Sequence, residues 1–112
     1  MRLKEGVRLT GLSVELLVGI IIVDDIFRQD GKELVLTSIS DGKHSFKSLH
    51  YSGNAVDIRI WDLTKSEAYK ITVKANLLLG DDFDIVLELT DDGELSHIHM
   101  EYQPKTPLEL RT

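Results

Sequence analysis

The chain has no cysteine. That excludes disulfides, thiolate metal sites and a cysteine nucleophile, and leaves histidine and carboxylates as the only strong metal ligands. Basic residues are outnumbered, 13 Lys and Arg against 19 Asp and Glu, for a net charge of −6. There is no basic stripe with interleaved aromatics, so nucleic acid is not an expected partner. Long apolar runs are missing as well. The longest, "LLVGIIIV" at 16–23, falls short of the roughly 20 residues that span a bilayer. Glu15 before it, Asp24 and Asp25 after it, and no small-residue cleavage site argue against a signal peptide. The expectation is a product made soluble in the cytoplasm, with no membrane partner, that works as a monomer.

What remains is a globular composition. Hydrophobic residues make up 42% and charged residues 29% of 112 positions, enough for one core and one domain over 1–112. Residues 1–10 read as an arm or loop. From 12 to 27, Leu12, Leu16, Leu17, Ile20, Val23, Ile26 and Phe27 recur at helical spacing, with Ser13 as a cap and "DGK" at 30–32 as the stop. "ELVLTSIS" (33–40) reads as a buried strand and "DGKHSFKSLHYSG" (41–53) as a loop. "NAVDIRIW" (54–61) alternates, with Ala55, Asp57, Arg59 and Trp61 on one face and Val56, Ile58 and Ile60 on the other. Thr64 with Glu67 has capping-box spacing, Ala68, Ile71, Ala75 and Leu78 form a stripe, and Gly80 ends a second helix. "DIVLEL" (84–89), an Asp-Gly turn and "HIHMEYQ" (97–103) form a hairpin. The order α, β, β, α, β, β predicts an α+β domain: a mainly antiparallel sheet with helices packed on it.

The histidines carry the chemistry. There are four: His44 and His50 in the polar loop, His97 and His99 on the last strand. His97, His99 and Glu101 share one strand face, and Asp57 lies on the polar face of its own strand. His50, Asp57 and one of His97 or His99 make two imidazoles and a carboxylate, a set that holds a catalytic zinc and leaves a position for water. The same residues also suit an ordinary polar sheet face without metal.

Ser48, His50, Gly53, Ala55 and Asp57 fit S-x-H-x-x-G-x-A-x-D in full, and "HIHMEY" supplies an H-x-H element in the final strand. Together they resemble the zinc D-Ala-D-Ala metallopeptidases and the phage endolysins that cut the L-alanyl-D-glutamate bond, whose fold is shared with lysostaphin-type peptidases and the hedgehog domain. The resemblance spans roughly residues 12–104. It implies one zinc ion per chain, held by His50, Asp57 and His99, with His97 beside it to stabilise an oxyanion or hold water. It implies a peptidoglycan stem peptide as substrate, a phage or prophage origin, and action on the cell wall after release or as part of a phage particle. Ser48 would bond the loop or bind substrate, and Gly53 and Ala55 would keep the turn small.

Two departures stand out. The family's general base lies three residues before the ligand histidine. Before His99 that residue is Ser96, which cannot serve; before His97 it is Glu94. Glu88, expected opposite His99 across the hairpin, is the second candidate. The family's substrate-binding arginine is also missing from its usual place, where Lys43 or Lys47 would have to stand in without the bidentate fork. The rival expectation is a metal-stabilised binding or structural module that does not catalyse.

Overall fold

The computed structural model describes residues 1–40 and 54–105. Five strands and two helices follow in the order β1 (Arg2–Leu3), α1 (Val14–Gln29), β2 (Val35–Ser40), β3 (Ala55–Arg59), α2 (Lys65–Leu79), β4 (Phe83–Leu89) and β5 (Leu95–Tyr102). The strands form one sheet in the order β1-β2-β3-β5-β4. Three ladders are antiparallel and the β1–β2 ladder is parallel. The α+β expectation therefore holds. The first ten residues are not merely an arm, because Arg2 and Leu3 add a short edge strand beside Val35 and Leu36.

Local signals explain the helices. Ser13 caps α1, its hydroxyl accepting from the Leu16 amide at 3.1 Å. At α2 the capping box is complete: the Glu67 amide donates to the Thr64 hydroxyl and the Thr64 amide to the Glu67 carboxylate. Gly80 closes α2 with φ +77°, a conformation L side chains rarely adopt. Neither helix is long and apolar enough to cross a membrane.

Both helices cover the same face of the sheet. Leu16, Ile20, Val23 and Phe27 of α1 and Ala68, Ile71 and Ala75 of α2 join Val56, Ile58, Ile98 and Met100 in one buried cluster. Leu78, expected on the α2 stripe, is 57% exposed, and Leu79 packs in its place. Both lie about 50° from the centre of that stripe, so the last turn takes whichever side the sheet offers. The alternation of β3 and β5 then sends the odd-numbered residues the other way. Burying Val56, Ile58, Ile98 and Met100 forces Asp57, Arg59, His97, His99 and Glu101 onto the helix-free face.

Candidate metal centre

β3 and β5 are neighbours, and their register sets the site. Ala55 faces Glu101, Asp57 faces His99 and Arg59 faces His97. Side chains opposed across an antiparallel ladder have Cβ atoms about 5 Å apart, so Glu101, Asp57, His99, His97 and Arg59 line one row on this face, with the small Ala55 beside Glu101.

Within that row Asp57 and His99 touch, with 2.9 Å between Oδ1 and Nδ1. The other ring nitrogen of His99 lies 3.1 Å from Glu101 Oε1. Gln103 donates in turn to the second carboxylate oxygen of Glu101. His97 Nε2 approaches the same Asp57 Oδ1 at 3.5 Å, and its Nδ1 pairs with the Ser96 hydroxyl at 2.9 Å. Ser96 is exposed, whereas the side chains of Asp57, His97 and His99 are partly buried, at 28%, 33% and 34% exposed.

The electrostatics follow from this geometry. His99 lies between two carboxylates. The hydrogen bond to Asp57 is the largest influence; partial burial opposes it, and Glu101 adds to it. The net effect raises the imidazole from 6.5 to about 9. For Asp57, partial burial is the largest single influence and pushes the carboxyl up. The hydrogen bond from His99, the nearby charges of His97 and His99 and the Ser38 hydroxyl together outweigh it, so the group sits below its ordinary value.

Asp57, His97 and His99 offer one ligand atom each, all within 4.8 Å of one another, and so could hold a metal ion. The donor set fits zinc: borderline nitrogen ligands with one carboxylate oxygen. With His99 bound through Nδ1, on the Asp57 side, its Nε2–H would still donate to Glu101. That outer carboxylate would fix the tautomer and the ring orientation.

The expected site residues separate into three groups. Asp57, His97 and His99 come together. His50, Lys43, Lys47 and Ser48 lie outside the described residues, as do His44 and Gly53. Glu88 and Glu94 are on the hairpin but in different settings. Glu88 is opposite His97, with Val86 opposite His99, so the expected Glu88–His99 pairing is off by two residues. A register shift between Glu88 and Leu89 accompanies the turn, and hairpin registers depend on such turn irregularities. Glu94 lies at the turn, where its amide donates to the Thr90 hydroxyl and its carboxylate sits 4.0 Å from Lys65 Nζ. Three residue steps along the chain, roughly 10 Å when extended, separate it from His97.

Glu101 was on the right face in the sequence but carried no assigned role. The signal was its spacing: a carboxylate two residues past His99 in a strand points the same way as the imidazole.

No protein-family model matches the chain, and neither the curated proteins nor the solved structures give a match. The likeness of the two motifs to zinc peptidases rests on their own residues.

Proposed function

We propose that the chain is a zinc peptidase acting on peptidoglycan stem peptides. One observation carries the reading. The carboxylate that ends S-x-H-x-x-G-x-A-x-D and the second histidine of H-x-H are register partners with 2.9 Å between donor atoms. Two motifs far apart in the chain thus contribute Asp57 and His99 to one contact, which supports a ligand set that includes both.

A zinc ion held there would act as a Lewis acid on the scissile carbonyl and lower the pKa of a bound water. The protein's share is positioning and proton handling. Asp57 and His99 supply donor atoms from two hydrogen-bonded strands, which keeps their separation rigid. Glu101, steadied by Gln103, holds the far nitrogen of His99. His97 presents Nε2 to the group, while its Nδ1 pairs with the Ser96 hydroxyl. Glu88, across the ladder from His97, and Glu94, at the turn, are the carboxylates that would take a proton from water and pass it to the leaving amine.

A second reading has an observation in its favour. Both ring nitrogens of His99 already face carboxylates, so the row is self-satisfied as an ion network without metal. A non-catalytic module would need no more. Purified protein assayed on peptidoglycan, with and without chelator, separates the two. Release of new amino termini that chelator abolishes supports the peptidase. Zinc-loaded protein that releases none is the binding module.

A further inference from the structure

The polar row does not end at the metal centre. Arg59, the last residue of β3, continues it on the helix-free side of the sheet, and Trp61 follows in the turn just beyond the strand. Arg59 is the cross-strand partner of His97, and its guanidinium carbon sits over the Trp61 ring, 4.0 Å from the ring centroid. Trp61 is 74% exposed. A tryptophan kept for packing would bury most of its 150–250 Å² of surface, whereas this one gives its face to an arginine and the rest to solvent. Beside it runs a groove of about 360 Å³ lined by Trp61, Leu63, Lys65, Glu94 and Leu95.

We infer that Arg59 and Trp61 form a binding ledge for a carboxylate on the ligand handled at the Asp57–His99 group, and that this ligand is an acidic peptide or acyl-amino acid. The inference rests on the peptidase reading for what happens at the metal, but the ledge itself does not. A guanidinium seated on a ring face keeps its in-plane N–H donors available, and these match a carboxylate in bidentate fashion. The ring also restrains the arginine side chain, so less freedom is lost when an anion binds. The chain as a whole is acidic, at −6. Arg59, directly across the ladder from His97 and two positions from Asp57, places a fixed cation beside the metal group in a chain whose overall charge is negative. Arg59 and Asp57 are two strand positions apart, roughly 7 Å between Cα atoms. That is the length of about two extended residues, so one short peptide would reach both.

Trp61 is the only tryptophan in the chain, so its fluorescence reports the ledge directly. Zinc-loaded protein is titrated with N-acetylglutamate α-methylamide and, separately, with the glutamine analogue, which differs by one charge. The expected result is a saturable change with the glutamate compound, binding about 10-fold weaker for the glutamine compound, and a similar loss in Arg59→Gln. Arg59→Lys should fall between wild type and Arg59→Gln, because it keeps the charge and loses the fork. Circular dichroism melts establish that both variants fold. The inference is overturned if the glutamate compound produces no change up to about 10 mM. It is equally overturned if Arg59→Gln binds it as wild type does, the result expected were zinc alone holding the carboxylate. Zinc measured in the same samples reads the metal proposal separately: a chain that takes up no zinc ends that reading while the titration still decides the ledge.

Discussion

Asp57 and His99, 42 positions apart in the chain, meet across the β3–β5 ladder with 2.9 Å between Oδ1 and Nδ1. Neither side chain reaches the other by chance of rotamer. They are register partners, so the contact is built into the backbone hydrogen bonding of two central strands. A metal between them would inherit that rigidity.

The first prediction is stoichiometric. Wild-type protein should hold about one zinc after extensive dialysis, and Asp57→Ala and His99→Ala should each lose most of it. The third ligand is read from two further variants. Loss in His50→Ala with retention in His97→Ala gives the ligand set His50, Asp57 and His99. The opposite result gives Asp57, His97 and His99, the group already gathered on the sheet. Elemental analysis distinguishes them, and wild-type protein without zinc would end the metal reading.

Glu101 should matter to the metal without touching it. Carboxylates that hold the outer nitrogen of a ligating histidine typically change metal affinity by about 10- to 100-fold when removed. Glu101→Gln keeps the size and a hydrogen-bonding group but loses the charge. It should fold normally and bind zinc in that weaker range in a competition assay with a chelating dye. Unchanged affinity would mean that Glu101 is only part of the surface row.

The two pH effects at His99 should have opposite signs. In metal-free protein the imidazole has its folded value raised from 6.5 to about 9, so its contribution is complete below pH 6.5 and disappears as pH rises from there through 9. Asp57, lowered from 3.8, contributes above that value and stops as pH falls through its folded value. Because His99 is about a third exposed, solvent screening leaves a loss on the alkaline side of about 1 kcal/mol. Denaturant melts at pH 6 and 9.5 should show it in wild type and not in His99→Gln. Zinc uptake should run the other way, strengthening across the same interval, because the ligating nitrogen must first give up its proton.

Gly19 gives a test of the core. In mid-helix, Gly→Ala is normally favourable by about 1 kcal/mol. Here a Cβ would stand 2.6 Å from Met100 Cε and 2.7 Å from Phe83 Cε2. Overpacking of that kind typically costs about 1–3 kcal/mol. Gly19→Ala should therefore lower the melting temperature by about 5 °C, at roughly 1 kcal/mol net. A raised melting temperature would show that Met100 and Phe83 move aside freely.

Much of this was legible in the chain because local rules sufficed. Thr64 and Glu67 announce the start of α2, and alternation in "NAVDIRIW" and "HIHMEY" puts Asp57, His97, His99 and Glu101 on the face opposite Ile58 and Ile98. Period-two patterns give the face but not the partner. That is why Glu88 is on the correct side yet two residues from its expected neighbour: the register depends on the irregularity beside Leu89, which no residue type announces. β1 was illegible for a different reason. Two residues have no period, and Arg2–Leu3 is a strand only because the edge of β2 is there to pair with.

A peptidase at this site needs a carboxylate or imidazole to take the proton from water. Ser96 occupies the position three before His99 and has no basic group near neutrality. Glu94 is at the turn with Lys65, roughly 10 Å along the extended chain from His97. Glu88 faces His97 directly across the ladder. Its side chain leaves the same sheet face as the metal group, from a strand rather than a turn, so its reach is better defined. Removal of a general base typically costs about 10²- to 10⁴-fold in rate. Glu88→Gln should therefore keep zinc and fold and lose at least the lower factor on a stem-peptide substrate, while Glu94→Gln stays near wild type. The converse pattern would move the role to Glu94. If both variants turn over normally, His97 is the remaining acceptor, and His97→Gln should then keep zinc and lose rate by the same factor.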